Sequence, residues 1–190
     1  QALGDGFIIN NLVSKGWREP KIAIVGDIVH SRVARSLIQL ADKLEWEVRL
    51  YGPPEFLPAH GMEDEHEQFT ELVDLDWADF VYVIRPQLER LEPDMFNRDN
   101  YIYNWRISSE HLTENQLLMH AGPVNRGLEL ASDTFNRPST LIQSQVRIGH
   151  EMRKFLFGWL KHGNNRPASS SDLGFLDRLS SSPYNSHPGL

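Results

Sequence analysis

Three stretches combine fixed positive charge, small residues and acceptor groups directly after an apolar run. The first is Gly26-Asp27-Ile28-Val29-His30-Ser31-Arg32, which follows Ile22 to Val25 and leads into a helical pattern. A helix starting there offers unpaired N–H groups and partial positive charge, and Arg32 in its first turn adds a fork of donors suited to a carboxylate or phosphate. The competing reading is a plain strand-to-helix connection with Arg32 solvated. The second stretch, Arg85-Pro86-Gln87-Leu88-Glu89-Arg90, ends the apolar run Phe80 to Ile84. In an open parallel sheet ligands gather beyond the carboxyl ends of the strands, so Arg85 and Gln87 would project into the same crevice as Arg32. Two arginines there suit two negative groups. Glu89 is within reach of either Arg85 or Arg90, and a surface ion network worth little is the alternative. Pro86 removes an N–H and stiffens the turn. The third stretch is His120-Ala121-Gly122-Pro123-Val124-Asn125-Arg126-Gly127, after Leu117 to Met119. Gly122-Pro123 lets backbone carbonyls approach a ligand, and neutral His120 can hydrogen-bond or exchange a proton. A single histidine at a strand end is more often structural than catalytic.

Other chemistries find less support. Gly26 stands alone, without the G-x-G-x-x-G of a dinucleotide site. Asp27, His30 and Ser31 are too close in sequence to line up as a nucleophile relay. The absence of cysteine excludes disulfides and thiolate metal sites. The acidic run Glu63-Asp64-Glu65-His66-Glu67 reads as a solvated helix face, and with no HExxH spacing neither a metal nor another cofactor is expected. The 19 Lys+Arg against 26 Asp+Glu give a net charge of −7, and no basic stripe carries interleaved aromatics, so no nucleic-acid partner is expected. No apolar run approaches the roughly 20 residues of a membrane span. Gln1-Ala2-Leu3-Gly4 has neither the charged nor the apolar region of a signal peptide and reads as a cut end.

The elements that must position these loops are visible as apolar runs. Ile22 to Val25, Trp46 to Tyr51, Phe80 to Ile84 and Leu117 to Met119 are strand candidates, continuous rather than alternating in hydrophobicity. Val33, Leu37, Leu40, Ala41 and Leu44 form one stripe of a helix opening near Ser31. The pattern predicts an α/β fold, a three-layer parallel sheet with helices on both faces, Rossmann-like in architecture. Glu92 to Ser109 is a long excursion without periodicity. A last helix begins at Ser139, with Thr140 and Gln143 spaced as a capping box, and Phe155, Leu156 and Trp159 on its apolar surface; it stops at Gly163. Glycine inside a helix costs about 0.5–1 kcal/mol, so Gly4 and Gly6 predict a frayed first helix. The expected division is a domain over 1–163 and a Ser/Pro-rich, largely disordered tail over 164–190.

In order, the motifs VGDIxHSRVARS at 25–36, RxQxER at 85–90, HxGPxNRG at 120–127 and SxLIQxQVxxG from Ser139 resemble the aspartate carbamoyltransferase catalytic chain, in its aspartate-binding second domain. Gln1-Ala2-Leu3 is similar to the end of the HPTQAL motif that joins the family's two domains. The resemblance spans roughly 1–163, and HSRVAR favours the aspartate over the ornithine enzyme. It implies transfer of a carbamoyl group from carbamoyl phosphate to the α-amino group of L-aspartate, a step of pyrimidine biosynthesis, without metal or cofactor, in a cytoplasmic homotrimer. It also implies that Arg32 holds the α-carboxylate and Arg85, assisted by Gln87, the β-carboxylate. Gln1 would touch the carbamoyl group, Gly122 and Pro123 would orient the reacting nitrogens, and His120 would join Pro123 in the catalytic set. The family's carbamoyl phosphate domain, upstream in its members, has no counterpart in these residues, so no turnover is expected from this polypeptide alone. Ala121 replaces the family's usual proline. Together with the early glycines it motivates a second reading, a non-catalytic structural partner of another pathway enzyme. Exposed Phe155, Leu156 or Trp159 would favour self-association.

Overall fold

A chain segment buried on both sides needs no polar alternation, and the sheet shows why the runs at 22–25, 80–84 and 117–119 are continuous, whereas Trp46 to Tyr51 alternates, with Glu47 exposed and Arg49 half-buried. The computed structural model describes residues 1–13, 19–59, 66–91 and 96–162. Five strands, β1 (Lys21–Gly26), β2 (Glu47–Tyr51), β3 (Glu67–Phe69), β4 (Phe80–Ile84) and β5 (Leu117–His120), form a wholly parallel sheet in the order β3-β2-β1-β4-β5. The central pair β1 and β4 is buried along almost its whole length.

Helices α1 (Ala2–Val13), α2 (Arg32–Lys43) and α4 (Ile142–His162) cover one face, where Ile9, Leu37 and Ile148 pack on Ile22, Ile24, Phe80, Tyr82 and Met119. Helix α3 (Arg98–Trp105) and several 3-10 turns cover the other, bringing Tyr101, Trp105 and Phe56 against Ala23, Val25, Val81 and Val83. The three-layer α/β expectation is met.

Four local expectations are corrected. Glu67 belongs to edge strand β3 rather than to a helix face, paired at Arg49↔Glu67. The Arg49 guanidinium reaches Glu67 at 2.7 Å and lies 4.2 Å from the Trp77 ring, which holds a three-residue strand in place. The aperiodic excursion contains α3, started by the Asn97 side chain accepting from the Asn100 N–H. The Thr140 capping box does not form: that hydroxyl donates to the Thr134 carbonyl at 2.6 Å, and α4 begins only at Ile142. Helix α1 is intact despite its glycines, because three helices meet there at close range. A methyl group on Gly6 would sit 2.3 Å from Leu40 Cδ2, and one on Gly4 would sit 3.5 Å from the Gly149 backbone. The propensity lost at each glycine is offset by the burial this closeness permits.

Toward its C-terminal end α4 leaves Phe155, Phe157, Trp159 and Leu160 exposed, with Leu156 half-buried. The expected tail at 164–190 lies outside the described residues, as do Glu63, Asp64 and Glu65. Among the described residues, no helix is long and apolar enough to cross a membrane, and no group of three His, Asp or Glu side chains is placed to hold a metal ion.

Candidate active site

Because β1, β4 and β5 are parallel neighbours in register, Gly26 beside Ile84 and Val83 beside His120, the loops that leave them emerge along one sheet edge. Gly26 makes the first exit possible. Its φ is +119°, and a Cβ there would lie 2.1 Å from the Ile84 carbonyl oxygen. Only a residue without a side chain lets β1 pass β4 this closely before turning.

The loops are tied together by Asp27, which is fully buried. One carboxylate oxygen accepts from the His30 N–H at 3.2 Å and faces His30 Nδ1 at 2.8 Å; the other accepts from the Gln87 N–H at 2.8 Å. Arg90 Nη1 donates to the His30 carbonyl at 2.7 Å, a second cross-tie between the β1 and β4 loops. Ser31 caps α2 by accepting from the Ala34 N–H, and Arg32 stands exposed at the first helical position.

Glu89 selects Arg85 over Arg90. The guanidinium donates through Nη2 to Oε1 at 2.6 Å and through Nη1 to Oε2 at 3.1 Å, a bidentate fork. The Arg85 bond holds the Glu89 carboxyl down at about 2, while Glu89 together with Glu129 and Asp27 raises the guanidinium pKa further. The β4 loop therefore offers a permanently charged fork within electrostatic range of the buried acids Asp27 and Glu129.

His120 is buried, with both ring nitrogens engaged. Gly122 N–H donates to Nδ1 at 2.7 Å, which assigns the ring proton to Nε2, facing Glu129 Oε1 at 3.2 Å. The same Glu129 oxygen accepts from Asn125 N–H, so one buried carboxylate gathers both ends of the loop. Gly122 and Pro123 are exposed at its tip. Gln1 lies at the start of α1, donating through Nε2 to Asp5 at 3.0 and 3.2 Å.

Sequence reasoning singled out Arg32, Arg85, Gln87, Gly122 and Pro123, and the structure brings their three loops to one edge. It assigned no part to Asp27, Glu129, Gln145 or Asp5, the buried groups that hold the loops. The signal available was an acid embedded among apolar or glycine neighbours, as in Leu128-Glu129-Leu130 and Gly4-Asp5-Gly6.

Asp5 makes a pH prediction. Burial pushes its carboxyl above the ordinary carboxylate range, opposed by bonds from Tyr82, Gln145 and Gln1. A carboxyl that holds its proton more tightly folded than unfolded lends stability in full below the unfolded value of 3.8, and loses it as pH rises through the folded value. Urea unfolding of wild type and Asp5→Asn between about pH 4 and about pH 7 is expected to give a stability difference that declines with pH. A flat difference would refute it.

An open α/β sheet with cationic and small-residue loops at its carboxyl edge defines a domain of the Rossmann-like class, in which ligands generally gather at that edge. The comparisons place it more narrowly: residues 18–160 match the family model for the aspartate/ornithine carbamoyltransferase Asp/Orn binding domain, and the chain belongs to that family. The aspartate carbamoyltransferase catalytic subunit of Koribacter versatilis is 40% identical over 148 residues, covering 73% of this chain and 48% of that protein. Its counterpart in Allorhizobium ampelinum is 35% identical over 179 residues, covering 92% of this chain and 56% of that one. Among solved structures, the catalytic subunit of M. jannaschii aspartate transcarbamoylase superposes with a TM-score of 0.68 at 26% identity, over 87% of this chain and 56% of that chain. The ornithine carbamoyltransferase of Burkholderia thailandensis shares the fold, at a TM-score of 0.63 and 21% identity over 83% of this chain and 52% of that one. The chain thus spans about half the length of the relatives it matches.

Proposed function

We propose that this chain is the aspartate-binding half of an aspartate carbamoyltransferase. The observation that carries the reading is the convergence of the Arg32, Arg85 and Gly122-Pro123 loops at one edge, locked by Asp27 and Glu129. In a protein of net charge −7, a dicarboxylate is held by locally focused, permanently charged forks rather than by the overall field. Arg32 binds the α-carboxylate, and Arg85 with Gln87 the β-carboxylate. Carbonyls beside Gly122 and Pro123 orient the amine, and Gln1 approaches the carbamoyl group. His120 acts with Pro123 by fixing the loop, since its ring is already committed to Gly122 and Glu129.

The neutral α-amino group then attacks the carbamoyl carbon. A C–N bond forms, the C–O bond to phosphate breaks, the proton lost by the amine passes to the departing phosphate, and N-carbamoyl-aspartate and hydrogen phosphate result. The barrier falls through hydrogen-bond donors aimed at the developing oxyanion and through near-attack positioning. Carbamoyl phosphate is bound by a complementary half of the kind the relatives carry in their remaining length, within a homotrimeric cytoplasmic enzyme of pyrimidine biosynthesis. The exposed apolar end of α4 is available to such a neighbour.

The test supplies the complementary half of the Koribacter versatilis relative as a separate polypeptide. With aspartate and carbamoyl phosphate, the mixture is expected to form carbamoyl-aspartate and the chain alone is not. A mixture that associates yet stays inactive favours the second reading, a non-catalytic structural partner, for which Ala121 is the motivating residue.

A further inference from the structure

A fully buried aspartate in the first turn of a helix needs an explanation beyond the helix dipole, which a solvated carboxylate would satisfy equally well. Every partner of Asp5 is a donor. Gln1 Nε2 reaches both oxygens, Gln145 Nε2 donates to Oδ1 at 3.0 Å, and the Tyr82 hydroxyl donates to Oδ2. Three elements, α1, β4 and α4, therefore close on one side chain.

The chain of bonds continues toward the loop that leaves β5. With its amide nitrogen fixed on Asp5, Gln145 turns Oε1 to accept from the His120 N–H at 2.9 Å. On the same strand the Leu118 N–H bonds to the Ser139 carbonyl, so Gln145 supplies the acceptor for the last residue of β5. From His120 the path runs through Nδ1 to the Gly122 N–H and through Nε2 to Glu129 and the Asn125 N–H. Gln1 at one end and the Gly122-Pro123 loop, itself gathered by Glu129, at the other are thereby linked through Asp5.

We propose that Asp5 is a positioning residue that fixes the Gln1 side chain and, through Gln145 and His120, the Gly122-Pro123 loop in a single frame, setting where the substrate amine sits; this rests on the functional reading above. Replacing it with an isosteric amide turns one accepting edge into a donor, which either opposes the Gln1 or Gln145 amide or forces the Tyr82 hydroxyl to accept, leaving its proton without a partner on Asp5. The loop that orients the amine loosens while the arginine forks remain.

The carboxylates and the amine can be separated experimentally, because succinate has the former without the latter. NMR titration of the 190-residue chain with L-aspartate and with succinate reads both affinities, and amide hydrogen exchange at His120 and Gly122 reads the frame directly. For Asp5→Asn, aspartate affinity is expected to fall about tenfold with succinate within about twofold, and both amides to exchange about tenfold faster. Tyr82→Phe removes one donor and keeps the Gln145 bond, so a smaller change of the same sign is expected in a variant with an intact core. A mere loss of folding stability would weaken both ligands equally. An unchanged aspartate-to-succinate ratio in Asp5→Asn, or unchanged exchange at both amides in the two variants, overturns the proposal. If wild type binds neither ligand, the functional reading fails, and exchange at His120 and Gly122 alone decides whether Asp5 holds the frame.

Discussion

Replacing Gly26 with alanine is expected to cost about 4 kcal/mol or more and to lower the unfolding midpoint by about 10 °C in calorimetry. Two effects add. At φ +119° any side chain is strained, and the new methyl group would meet the Ile84 carbonyl oxygen at 2.1 Å. The obstacle is backbone of the neighbouring strand β4, not the free end of a side chain, so β1 and β4 must separate or the turn must refold. Either movement displaces Asp27, and with it the bonds to His30 and Gln87. The same variant should therefore bind no dicarboxylate even at temperatures where it remains folded. A midpoint within about 3 °C of wild type would show that the turn has room the geometry denies it.

The second large effect concerns Arg85. Hydrogen bonds to charged groups contribute about 1.5–3 kcal/mol each, so removing a two-pronged carboxylate grip is expected to weaken succinate binding by about a hundredfold or more in Arg85→Ala. Arg85→Lys keeps the charge and loses the planar fork, and is expected to bind about tenfold more weakly than wild type. NMR titration with succinate distinguishes the three proteins. Equal affinities would move the ligand away from the β4 loop. Neither variant should disturb folding greatly, because the Arg85–Glu89 pair is partly exposed and exposed ion pairs add little stability.

The core of the fold was legible in the sequence because β1, β4 and β5 are buried on both faces and must be apolar throughout. Strand β3 was not. A three-residue edge strand ending in Phe69 needs no apolar pattern, and Glu67 and Gln68 read equally well as a helix face. Helix α1 was misjudged for a related reason: propensity counts the cost of glycine locally, whereas the space at Gly6 is defined by Leu40 on another helix. The candidate site divides in the same manner. Residues proposed to meet a ligand carry their chemistry in their type, so Arg32, Arg85 and Pro123 could be chosen from the sequence. Asp5, Asp27, Glu129 and Gln145 act through burial and through partners up to 140 positions distant, which only the folded chain supplies.

The fork between Arg85 and Glu89 has a consequence for anyone measuring affinity. If the dicarboxylate seats on Arg85 as proposed, Glu89 is a tethered rival, a carboxylate already on that guanidinium. Any dissociation constant is thus net of an exchange, one carboxylate arriving as another departs or shares the donors. Acid cannot remove the rival selectively: Glu89 releases its charge only near pH 2, below the range of an ordinary side-chain carboxyl. Mild acidification would neutralise the visitor first, leaving the arginine in the hands of its own neighbour.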